Sequence, residues 1–149
     1  MPRPLVVFAL VVALWGCAGR EHAYTPRGDR VLELGRDEAM RQLMVLLGRA
    51  ARPEVEAGSV EVTDAYMYLR TSRAPLSPKH WRIGWDQLAG LRLVRYEEPQ
   101  ITPSKWLCDV VMLDAAGAEL FTIQFIGETD GKAFADLAWS LREAANAKR

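Results

Sequence analysis

The chain has 149 residues, 19 basic and 19 acidic side chains, a half-hydrophobic composition and two cysteines. That length suits one domain, the apolar share excludes a disordered chain, and zero formal charge gives no general pull toward nucleic acid. Two cysteines exclude a disulfide scaffold and a four-thiolate zinc site, and two histidines, His22 and His80, leave few metal or acid–base constellations open.

The chain opens Met1-Pro2-Arg3-Pro4 and runs apolar from Leu5 to Trp15. A short cationic start, an apolar stretch and small residues at its end describe a secretory leader. The stretch is too short to span a bilayer as a helix, which takes about 20 apolar residues. Leu14, Gly16 and Cys17 resemble the bacterial lipobox, with a leucine three before, and a small residue just before, the cysteine. The resemblance implies a diacylglyceryl thioether on Cys17, cleavage before it, and acylation of the new amino terminus. Ala18 is not the aspartate that often retains such lipoproteins at the inner membrane. The expected location is therefore the outer membrane, with the domain facing the periplasm and the inner membrane as the alternative. Loss of residues 1–16 removes only Arg3, leaving 18 basic against 19 acidic residues and Cys108 as the free thiol.

Residues 18–30 show no apolar periodicity and read as tether, so the expected layout is a leader at 1–16, a lipidated cysteine and flexible tether at 17–35, and one globular domain at 36–149. From Arg36 to Arg52, Met40, Leu43, Met44, Leu47 and Ala51 recur at helical spacing, with Asp37 and Glu38 in the first turn and Pro53 as the stop. Val45 and Leu46 fall off this stripe. Short strand signals follow at 59–63 and 65–70, then a loop at 71–79. The strand 80–85 puts Trp81, Ile83 and Trp85 on one side, and 91–96 is another strand. Trp106 to Leu113 is apolar on both faces except Asp109, which marks a central strand. Asp114-Ala-Ala-Gly117 reads as a tight turn into 119–126, where Phe121, Ile123 and Phe125 share a face. A closing helix at about 132–147 carries Phe134, Leu137, Ala138, Leu141 and Ala145 on one face, with Thr129 or Asp130 as its cap. The expected fold is α+β: an N-terminal helix, an antiparallel sheet of about six strands bent into a sandwich or partial barrel, and a C-terminal amphipathic helix.

The order of hairpin strands, the segment Trp85-Asp86-Gln87-Leu88-Ala89-Gly90-Leu91, further strands and one closing helix resembles a pleckstrin-homology-like domain from about Gly58 to Asn146. The resemblance implies a small interaction domain whose closing helix carries a tryptophan, here Trp139. The first hairpin turn, Thr63-Asp64-Ala65, lacks the basic residues that mark the phosphoinositide-binding members.

No nucleotide-binding glycine loop, paired cysteines or histidine pair at ligand spacing is present, so no catalytic residue, metal or cofactor is expected. Cys108 reads as a buried small apolar residue, and Asp109 must either face water at a sheet edge or find a partner, for which Trp81 and Trp85 are candidates. Binding candidates are the cationic run Arg70, Arg73, Lys79, Trp81 and Arg82, which suits an anionic envelope component, and Trp139, which projects about 120° from the closing helix's main stripe. The expectation is a non-catalytic, lipid-anchored envelope protein that binds the membrane through its lipid and another envelope protein or anionic component through its domain. The alternative is an envelope enzyme or transport accessory.

Overall fold

In the computed structural model, residues 20–22, 24–73, 76–98 and 105–148 are described, without the side chains at 20, 22, 73, 76, 97, 98 and 105. Cys17 lies outside them. Hydrophobic patterning places most elements. The helix α2 (Arg36–Gly48) buries Ala39, Leu43, Leu46 and Leu47. Leu46 thus belongs to the core, while Met44 joins Val45 on the solvent side. The expected stripe is rotated because α2 packs against the closing helix as well as the short strand β2 (Glu61–Val62).

The expected α+β class with antiparallel strands is present, but the strands form two sheets instead of one of six strands. The strands β2, β3 (Tyr66–Arg73) and β4 (Leu76–Gly84) make one sheet in that order. The other has the order β1-β5-β6-β7, comprising Arg20–His22, Gly90–Glu98, Lys105–Leu113 and Glu119–Ile126. The break comes at Gly84–Leu88. Gln87 closes a turn onto the Gly84 carbonyl at 3.0 Å, and Trp85 plunges into the core, where its indole N–H donates to the Thr63 carbonyl at 2.9 Å. The chain therefore leaves β4 without pairing to it, and β5 joins β6. That strand is flanked on both sides, as its two apolar faces require. The turn into β7 also forms as expected: Asp114 Oδ1 accepts the amides of Ala116 and Ala118, and Gly117 takes φ +77°.

Residues 51–56 stitch the sheets together. Ala51 and Arg52 exchange backbone hydrogen bonds with Gln124 of β7, while Glu54 and Glu56 do so with Ser72 and Arg70 of β3. The stretch expected as a loop at 71–79 is strand on both sides, because β3 and β4 run on past Thr71 and before Lys79. Pro78 is accommodated on β4, an edge strand, where a missing N–H costs no internal ladder bond.

The closing helix α3 (Glu128–Asn146) starts a turn earlier than its apolar stripe indicates, with Gly127 at φ +88° as its N-cap in place of Thr129 or Asp130. Phe134, Leu137 and Leu141 lie in the core, and α3 packs across β5, β6 and β7. Its other side is covered too. Residues 24–34, including the short helix α1 (Arg30–Leu34), form a strap over it and are not tether. The buried Asp136 carboxylate accepts the Tyr24 hydroxyl at 2.5 Å and the Arg27 amide at 2.8 Å. One turn on, Ser140 accepts the Val31 amide at 2.7 Å and donates to the Gly28 carbonyl at 3.0 Å. Burial beside Asp136 pushes the Tyr24 phenol up to about 12.

Gly131 sets how closely α3 approaches β6. A Cβ there would stand 2.6 Å from Cys108 Sγ and 3.2 Å from its Cβ. Gly131→Ala should therefore destabilise the domain by about 1–3 kcal/mol despite the better helix former. In a Cys108→Ala background the same change should cost at least about 1 kcal/mol less, read from urea midpoints in a double-mutant cycle. Additive effects would show that the helix does not rest on Cys108.

Candidate interaction surface

Alternation along the β3–β4 hairpin sends Met67, Leu69, Trp81 and Ile83 inward and leaves Tyr66, Tyr68, Arg70, His80 and Arg82 on the outer face. Cross-strand neighbours there are paired with one another. The Arg82 guanidinium lies 4.1 Å over the Tyr66 ring, and the Tyr66 hydroxyl donates to Glu61 Oε1 at 3.0 Å. Tyr68 shares a hydrogen bond with His80 Nδ1 at 2.6 Å, and Arg70 is paired with Glu56. At the lower end the face continues into an open groove of about 600 Å³, walled by Tyr66, Arg82, Asp64, Asp86, Gln87 and Lys148. Asp64 receives Lys148 at 2.9 Å and Arg36 at 3.4 Å. The Lys148 hydrogen bond is the main reason its carboxyl is held below the usual range.

The candidates from the cationic run separate on this scaffold. Arg70 and Arg82 share the outer face. Lys79 and Trp81 belong to the opposite one, with Lys79 Nζ 3.9 Å over the Trp81 ring. Trp81 is half-buried, edge-on to Phe121 at 4.9 Å, and donates to Thr71 Oγ1 at 3.1 Å, so it joins the two sheets. Arg73 lies near the end of β3, and its side chain is outside the described residues, as is Cys17. Trp139 is partly buried against the core beneath the strap, with Arg142 4.5 Å over its ring. Tyr66 and Tyr68 went unnoticed from sequence, although Tyr-Met-Tyr-Leu-Arg alternates plainly and puts both rings beside Arg70.

The groups considered for chemistry are distributed differently. Cys108 is buried against α3, and burial, with the nearby Glu128 and Asp109 charges, pushes its thiol up to about 11. A thiol in that state is a poor nucleophile near neutral pH. Asp109 points to the other face of the same strand. Its carboxylate accepts the Gln124 side-chain amide at 2.9 Å and the Tyr96 hydroxyl at 3.2 Å. Its partners are thus not the tryptophans, whose indole N–H groups go to Thr71 and Thr63. Among the described residues no group of three or more His, Cys, Asp or Glu is placed to hold a metal ion.

No protein-family model, curated protein or solved structure matches the chain.

Burial raises the Asp109 carboxyl above its ordinary value, against the opposing Tyr96 hydrogen bond and with help from the Glu119 charge. A carboxyl raised on folding favours the native state below its unfolded value, about 3.9, and that advantage is lost as pH rises through the raised value. Asp109→Asn keeps an acceptor for Tyr96 and Gln124 without the charge. It should stabilise the domain relative to the parent more at pH 7 than at pH 3.5, measured by urea midpoints. A difference independent of pH would show that Asp109 is not desolvated.

Proposed function

We propose that the protein is a lipid-anchored component of the bacterial envelope whose domain is a non-catalytic interaction module. The anchor reading is supported by the leader and by Leu14, Gly16 and Cys17 at lipobox spacing. In the outer membrane the domain would face the periplasm. Two antiparallel sheets and a closing C-terminal helix support a pleckstrin-homology-like reading from about Gly58 onward, with α1 and α2 as an added N-terminal layer.

The observation that carries the interaction reading is the outer face of the small sheet, where Tyr66, Tyr68, Arg70, His80 and Arg82 stand in adjacent cross-strand rows. Tyrosine and arginine supply much of the energy at protein interfaces, since each offers a large, partly apolar surface with a polar tip. The same face suits a protein better than an anionic polymer. Arg70 is already neutralised by Glu56, Arg82 lies on a tyrosine ring, and Glu61 and Asp64 are close by. A polyanion would have to break those pairs, whereas a protein surface can complement them in place.

Two measurements test this reading. Mass spectrometry of the mature amino terminus should find an acylated Cys17, and Cys17→Ser should leave the chain unprocessed or release it from membranes; an unmodified mature chain that begins elsewhere would overturn the anchor. A photocrosslinking amino acid at position 68 should capture a protein in native membranes, whereas one at Arg92 on the larger sheet should not. Arg82→Ala should then weaken that capture by about 2 kcal/mol, roughly 30-fold, with the melting temperature nearly unchanged. Equal capture from positions 68 and 92 would contradict the assignment of the surface.

A further inference from the structure

We propose that the end of the larger sheet bearing Trp106, Ile126 and Arg95 rests on the headgroup layer of the membrane that holds the Cys17 lipid; this rests on the lipid-anchor reading above. The first reason is chain length. Arg20, the first residue of β1, pairs with Arg95, and only Ala18 and Gly19 separate it from Cys17. Three residue steps reach at most about 11 Å when fully extended. The headgroup region of each leaflet is itself about 5–8 Å thick, so Arg20 could stand no more than a few ångströms clear of it. The strap strengthens this limit, because residues 24–34 are committed to α3 and cannot pay out as slack.

The second reason is what that end of the sheet displays. Arg95 lies near the end of β5, Trp106 near the start of β6, and Ile126 ends β7. The Gly127 amide donates to the Trp106 carbonyl at 2.7 Å, which holds the two strand ends together, with Trp106 and Ile126 on opposite faces of the sheet at that end. Ile126 is 55% exposed and Trp106 44%, and these are the large apolar side chains that the described strands leave open to solvent. The Arg95 guanidinium sits 3.9 Å over the Trp106 ring. Arg95 also pairs with Glu128 at 3.4 Å, so the Trp106 ring and the apolar stem of Arg95 make the contact, and a tryptophan edge so placed fits the boundary between acyl chains and headgroups.

The test uses the full-length, processed protein reconstituted into phosphatidylethanolamine–phosphatidylglycerol vesicles with bromine on the acyl carbons nearest the headgroup. The mature chain keeps four tryptophans, Trp81, Trp85, Trp106 and Trp139. Vesicles should float the protein, and bromine should quench part of its emission. Trp106→Phe should abolish that quenching, while Trp139→Phe should leave it intact. A dye attached through Ile126→Cys should shift its emission to the blue on the same vesicles, which covers the case of a poorly folded Trp106 variant. Flotation with neither quenching nor a dye shift would overturn the seat while leaving the anchor standing. A protein that does not float would remove the anchor, and the seat with it.

Discussion

The burial of Asp136 on the outer side of α3 fixes how the rest of the chain is arranged. A carboxylate taken out of water needs hydrogen-bond donors, and here they come from Tyr24 and Arg27, more than a hundred residues away in sequence. Ser140, one helical turn further, gives and accepts a bond with the same segment. These four bonds close α3 from above while the larger sheet closes it from below. A helix so enclosed holds α1 and α2 on one side and β5–β7 on the other.

The two sheets meet through a different device. Residues 51–56 bond to β7 at one end and β3 at the other, and Trp81 reaches from β4 to the Phe121 ring. The small sheet is thereby set with Met67, Leu69 and Ile83 inward and its tyrosines and arginines outward. No cavity is needed to make such a surface, because the alternation of a half-buried strand makes it. The open groove beside it is lined in part by the turn at Gly84, where a Cβ would strike Asp86 Oδ1 at 2.5 Å.

Much of this was legible from periodicity. The apolar run of β6, the alternations of β4 and β7, and the stripe of α3 each led to the correct element, since each reports burial that neighbouring residues enforce. Three features were not legible, for identifiable reasons. Asp136 and Ser140 are polar, so their side of α3 reads as solvent-facing until the strap is seen above it. Residues 24–34 show no clear period because isolated hydrogen bonds and only a few apolar side chains, Tyr24, Val31 and Leu34, hold them against the core. The run from Thr71 to Lys79 reads as a loop because of its prolines and charges, yet its described residues continue two strands. That misreading grouped Lys79 and Trp81 with Arg70 and Arg82, although the pleat sends them to opposite faces. Cys17 remains a reading of sequence, resting on the lipobox resemblance.

Under the proposed anchoring, these parts act together. The strap shortens the free chain between lipid and domain, and α3 carries that constraint through to the larger sheet. The most direct measurement is amide hydrogen exchange of residues 24–34 in the full chain. The account predicts that the Arg27 and Val31 amides, which donate to Asp136 and Ser140, exchange as slowly as the amides within α3. Exchange at the rate of a free peptide throughout 24–34 would mean that the segment is a tether after all, and would contradict the strap and everything argued from its shortness.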